Sequence, residues 1–164
     1  MRIPKLLMLL AAAIVLAGCT GQEDRAYEAV WEPDDALQRA QAALKGDDAS
    51  ARRVRFGAPH VGSGMNERLE TSGDTSYRLD VVCDSADVPR VTVALTREAS
   101  KKQVEVTCAG TAGKHPVRLN FPAGPPVTVT VAAAPSDAMG LIVWELKTIG
   151  PANVQGCADE ITGC

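Results

Sequence analysis

Tyr77-Arg78-Leu79-Asp80-Val81-Val82-Cys83 puts Tyr77, Leu79, Val81 and Cys83 on one side of an extended chain and Arg78, Asp80 and Val82 on the other. A period of two is the mark of a half-buried β-strand. A second run, Gln103-Val104-Glu105-Val106-Thr107-Cys108, repeats the pattern and also ends in a cysteine on its apolar side. The alternation recurs outward from these two. It is carried by Val91, Val93 and Leu95, by Val117, Leu119 and Phe121, by Val127, Val129 and Val131, and by Ile142, Trp144 and Leu146. Between the runs lie turn segments, the polar residues 98–102 and residues 84–89, 110–113, 122–126 and 135–140, which are rich in Gly, Pro, Asp or Ser. Six short strands, with a seventh over residues 54–56, predict an all-β body, an antiparallel β-sandwich or a jelly roll. Strands do not alternate with helices, which argues against an α/β fold.

One helix is expected ahead of this body, over residues 34–45. Pro33-Asp34-Asp35 is a helix start, with acidic residues at the positive end of the dipole. Leu37, Ala40, Gln41 and Leu44 follow at helical spacing, and Gly46 is a natural stop. Its alanine-rich face is narrow, fit to pack on the sandwich or to form part of a stalk. Residues 62–74 read as a long polar connection.

The start of the chain reads as an address. Arg2 and Lys5 precede an apolar run from Leu6 to Leu16, too short to span a bilayer, as in a signal peptide. It ends in Leu16-Ala17-Gly18-Cys19, which resembles the lipobox of bacterial lipoproteins. The resemblance implies that the Cys19 thiol receives a diacylglycerol and that cleavage follows in front of Cys19. Each buried methylene then contributes ~0.8 kcal/mol to anchoring. The expected organisation is a leader over 1–18, a lipidated tether over 19–33, a short helix and linker over 34–50, and a β-sandwich domain over 51–164.

Without its first 18 residues the chain of 164 has 146, about one ordinary domain. Arg2 and Lys5 leave with the leader, so 15 of the 17 basic residues remain against 20 acidic ones, a formal charge of −5. No basic patch stands out, which argues against nucleic acid as a partner. A mildly acidic body is repelled by an anionic membrane, so the lipid on Cys19, not charge, is expected to hold it to the bilayer.

Besides Cys19 there are four cysteines, Cys83, Cys108, Cys157 and Cys164. An even number in an exported chain reads as disulfides, and four cysteines allow three pairings. Cys83–Cys108 and Cys157–Cys164 are favoured, because neighbouring strands and a tight terminal loop close at the lowest entropic cost. No C-x-x-C spacing supports a zinc site instead.

From Tyr77 the order of runs is Tyr-Arg-Leu-Asp-Val-Val-Cys, a valine–threonine strand, Val-Thr-Cys-Ala-Gly, Val-Thr-Val-Thr-Val and Gly-Leu-Ile-Val-Trp-Glu-Leu. Over residues 57–147 this order resembles small actinobacterial lipoproteins, a group for which the resemblance implies no activity. It does imply a lipid-anchored β-sandwich.

A search for chemistry yields little. His60 and His115 lie in expected loops without the spacing of a metal pair. Asp84 and Asp87 share a turn but lack the pattern of a calcium loop. Neither a nucleophile elbow nor a phosphate loop is present, and no cofactor is expected. The chain has six aromatic residues, and Trp31 is the one tryptophan outside the expected core strands, hence the one residue singled out for ligand contact. The expected function is a non-enzymatic envelope module that binds a protein or glycan. The alternative is a small hydrolase using two loop carboxylates.

Overall fold

The structure, a computed structural model, describes residues 33–45, 50–108, 115–150 and 161. Among them are one helix, α1 (Pro33–Leu44), a 3-10 turn (Val61–Ser63) and eight strands. The strands are β1 (Arg52–Gly57), β2 (Met65–Leu69), β3 (Ser76–Ser85), β4 (Arg90–Arg97), β5 (Ser100–Thr107), β6 (Val117–Phe121), β7 (Val127–Val131) and β8 (Gly140–Ile149).

The strands form a ribbon doubled back on itself. β1 pairs with β8, β2 with β7, β3 with β6 and β4 with β5, all antiparallel. Rolling the ribbon brings β3 onto β8 and β4 onto β7. Two four-stranded sheets result: sheet A, in the order β1-β8-β3-β6, and sheet B, in the order β2-β7-β4-β5. That order is a jelly roll, one of the two architectures that strand counting left open.

The apolar faces of both sheets meet in one core. Leu79, Val81 and Trp144 come from sheet A, Val93, Leu95 and Val129 from sheet B, and Ile161 joins them. The Cys83–Cys108 disulfide lies in this core with a Cα–Cα distance of 4.5 Å. The expected pairing is present, but its geometry differs from the expectation of neighbouring strands. Cys83 ends its run in β3 of sheet A, and Cys108 directly follows β5 of sheet B, so the bond staples one sheet to the other. Cys157 and Cys164 lie outside the described residues, as do Cys19, Trp31 and the expected leader.

α1 adds a third layer, against the outer face of sheet A. Ala36, Ala40 and Leu44, four residues apart, pack on Val82, Leu141 and Val143. Four-residue spacing keeps these side chains on one helix face, and the two alanines let the helix lie close. This layer corrects the reading of β3 as half-buried: all ten of its residues are buried.

Two further differences have physical causes. β2 falls within the stretch read as a loop, because its inward row is Met65, Glu67 and Leu69, and the charged middle residue hides the alternation. Glu67 is accommodated at the sheet edge by Arg55 of β1, whose Nη2 reaches its Oε2 at 2.8 Å. β5 begins three residues earlier than the expected strand, since Arg97 pairs with Ser100 across a two-residue turn. Glu98 takes the left-handed conformation (φ 50°) that such a hairpin requires.

Candidate functional site

A concave polar site lies on the outer face of sheet A, beside the C-terminal end of α1. Its cavity is about 430 Å³. Gln41, Leu44 and Lys45 line it from the helix side, Ala51 and Arg53 from the start of β1, Arg78 from β3, and Glu145 and Lys147 from β8.

Strand periodicity brings the charges together. Arg53, Lys147 and Arg78 are register partners on β1, β8 and β3, so they form one row across the sheet. Two residues along, Glu145 and Asp80 are partners on β8 and β3. Arg53 reaches this face because of a bulge. β1 shifts register between Arg53 and Arg55, where Arg53 pairs with Lys147 and Arg55 with Leu146. The extra residue, Val54, is left exposed. A bulge of one residue moves everything beyond it to the opposite face. Arg53 therefore joins the charged outer face, and Arg55 leans inward to the ring of Trp144, 6.0 Å from its centroid. The same inward row places Gly57 against Trp144. A Cβ there would lie 2.5 Å from the indole Nε1, so the ring requires glycine at this position.

Asp80 is 0% exposed and sits at the centre of the charge network. Its Oδ2 accepts from Lys147 Nζ at 2.8 Å, and its Oδ1 pairs with Arg78 Nε at 3.0 Å. Arg118 Nε approaches the same oxygen at 3.9 Å. Lys147 Nζ also contacts Glu145 Oε2 at 2.9 Å and donates to the Leu44 carbonyl at 3.0 Å. That last bond satisfies a carbonyl that the end of a helix leaves without an intrahelical donor, and places a cation at the negative end of the helix dipole. Glu145 Oε1 accepts from Arg53 Nη1 at 3.1 Å. A second clamp, Arg39 Nε to Asp84 Oδ2 at 3.1 Å, holds the helix farther along. Buried charges cost several kcal/mol each unless they are paired, and these are interleaved so that each acid meets at least one cation.

A second polar cluster lies elsewhere, where β4 ends. Buried Arg97 donates from Nη2 to Thr71 Oγ1 at 3.2 Å and to the Pro122 carbonyl at 3.0 Å, with its guanidinium 5.7 Å from the Phe121 ring centroid. Desolvation by burial pushes this guanidinium below the ordinary arginine range, and neighbouring Glu98 opposes that shift. Thr71 in turn donates to the Pro125 carbonyl at 2.9 Å. The cluster ties two loops together.

The remaining sequence candidates have structural roles. Asp84 is taken by Arg39, and Asp87 Oδ2 accepts from the Met139 amide at 2.7 Å. The His60 backbone bridges to Leu141, while His115 lies ahead of β6. Among the described residues no group of three His, Cys, Asp or Glu is placed to hold a metal ion. The acids that the fold sets side by side, Asp80 and Glu145, come from strands and not from loops. Sequence reading missed the basic cluster. Its one local signal was Arg52-Arg53-Val54-Arg55; Lys45 lies shortly ahead of that run, whereas Arg78 and Lys147 come from β3 and β8.

Compared with family models, curated proteins and solved structures, the chain shows no significant match to any of them.

Proposed function

We propose that this chain is a lipoprotein of the cell envelope, held at the outer side of the membrane through acylated Cys19, whose jelly-roll body binds another envelope component, protein or glycan, without acting on it chemically. The observation that carries this reading is the Cys83–Cys108 bridge, buried between the two sheets. Such a bond forms and persists in an oxidising compartment. It occurs in a chain whose residues 2–19 run from basic to apolar to Leu-Ala-Gly-Cys. The order of strand runs, with its resemblance to small actinobacterial lipoproteins, supports the same address. No helix among the described residues is long and apolar enough to cross a membrane.

The rival reading, a small hydrolase working through two loop carboxylates, has less to stand on. A retaining or inverting pair needs one carboxyl free to donate a proton and one free to attack or to activate water. Here Asp80 is fully buried under three cations, and Glu145 is shared by Arg53 and Lys147.

Two measurements test the proposal. Cys19→Ala is expected to move the protein from the membrane fraction to the soluble fraction and to remove the acyl mass from the mature chain; retention at the membrane would overturn the anchor. Crosslinking of the anchored protein on intact cells is expected to give a discrete adduct with an envelope protein or glycan. Its absence would overturn the binding role.

A further inference from the structure

Among the ion pairs on the outer face of sheet A, one differs in kind. Arg39, Arg53 and Arg78 meet their acids with a guanidinium, which keeps its proton in proteins. Lys147 brings an amine, which can lose a proton and become a nucleophile. Its Nζ lies 2.8 Å from Asp80 Oδ2 and 2.9 Å from Glu145 Oε2. The Asp80 side chain is 0% exposed, and those of Glu145 and Lys147 are 10% exposed. A nucleophile, a carboxyl group it can attack and a second carboxyl that can carry protons thus meet at one buried point.

Strand pairing fixes the contact. Asp80 stands opposite Glu145, and Arg78 stands opposite Lys147, two residues along the same face. The lysine therefore reaches diagonally to the neighbouring strand, a distance that a long side chain spans. β3 and β8 pair over ten positions, so both strands are held in register. Such positioning turns a bimolecular encounter into an intramolecular one. On the far side of the carboxyl, Arg78 Nε lies 3.0 Å from Asp80 Oδ1, and Arg118 Nε 3.9 Å from it. Cations there favour negative charge on Oδ1, where it develops when an amine adds to the carboxyl carbon.

We propose that Lys147 and Asp80 condense to an amide that cross-links β8 to β3. The Lys147 ammonium gives one proton to Glu145, which frees the lone pair of Nζ, and Glu145 passes that proton to Asp80 Oδ2. Nζ then adds to Asp80 Cγ, and the negative charge moves to Oδ1, facing Arg78. Glu145 carries a second proton from Nζ to Oδ2. The Cγ–Oδ2 bond breaks, the carbonyl re-forms at Oδ1, and Oδ2 leaves as water. Nζ keeps its third hydrogen as an amide N–H, beside the Leu44 carbonyl that it contacts at 3.0 Å. One ammonium and one carboxylate become one amide and one water, so no oxidant, reductant or co-reactant enters. The product removes two charges from a buried site, where charge is costly. In this step Glu145 is the acid–base catalyst, and Arg78 stabilises the developing oxyanion. The cross-link is a property of the body alone and does not depend on the anchor or on a partner.

The test is made on full-length protein purified from the membrane in neutral detergent, then denatured, reduced, alkylated and digested with trypsin. Cleavage after Arg78 and Arg90 frees residues 79–90, and cleavage after Arg118 and Lys147 frees residues 119–147. An amide on Lys147 blocks the last of these cuts. The expected product is a branched peptide in which 79–90 is joined to 119–164, lighter than the two together by about 18 Da, the mass of one water. Separate peptides 79–90 and 119–147 from the parent would overturn the proposal, whatever any variant does. Asp80→Asn is expected to give the same branched peptide with the same mass, because the leaving group is then ammonia. Lys147→Arg is expected to give only separate peptides; a branched product there would overturn the assignment of the nucleophile. Glu145→Gln is expected to slow cross-linking by at least about 100-fold after pulse labelling, the scale of general acid–base catalysis. An unchanged rate would overturn the role of Glu145.

Discussion

The outer faces of the two sheets have opposite fates. In sheet A, β3 is buried at all ten positions, and β8 at all but Thr148, because α1 and a charge network lie over them. In sheet B, Thr92, Gln103, Glu105 and Asn66 point to solvent, and β5 keeps a plain alternation of exposed and half-buried positions until Val106. The inner faces barely differ, since both supply Val, Leu and Ile to one core. A jelly roll thus needs one good face per sheet, and what happens on the other face is a separate decision. On sheet B the decision is solvent. On sheet A it is a helix, five buried ionisable side chains (Arg78, Asp80, Asp84, Glu145 and Lys147) and a cleft.

The sharpest way to break this contrast is Asp80→Ala. It leaves Arg78 and Lys147 buried without their shared carboxylate, and removing one member of a buried ion pair costs about 3–5 kcal/mol. Thr130→Ala on the outer face of sheet B should stay within about 0.5 kcal/mol of the parent. Urea unfolding of both variants checks this, and similar losses would show that the two faces do not differ as described. Cys83→Ser comes next. The bridge spans 25 residues and joins the sheets, so its loss is expected to cost about 3 kcal/mol. Thermal melting with and without reductant checks the source of the loss, because the parent under reductant should match the variant. The smallest effect concerns the β4–β5 hairpin of sheet B. Glu98→Gly should raise stability by up to about 1 kcal/mol by relieving a side chain held at φ 50°. A loss there would show that Glu98 contributes a contact that outweighs its backbone conformation.

These expectations separate what was legible in the residues from what was not. The strand runs from Tyr77 to Leu146 were legible because one face of each is apolar, and burial of that face writes a period of two into the sequence. α1 was placed within a residue at each end, since a proline-acidic start and four-residue apolar spacing are local signals. β2 was not legible, because the ion pair of Glu67 with Arg55 replaces an apolar contact at its centre. The disulfide partners were legible, but not that they lie in opposite sheets.

By itself the sequence determined the class of fold, the covering helix, the Cys83–Cys108 pair and the motif at Cys19. Each depends on the order of residue types over a short span, or on there being few cysteines to pair. Only the tertiary structure decided the jelly-roll order, the full burial of β3 and the charged cleft. Arg53, Arg78 and the pair Glu145 and Lys147 come from three separate stretches of the chain and are polar. Nothing local distinguishes them from solvated surface charges until a bulge at Val54 and the pairing of β1, β8 and β3 set Arg53, Lys147 and Arg78 in one row, with Glu145 two residues along, beneath the end of a helix.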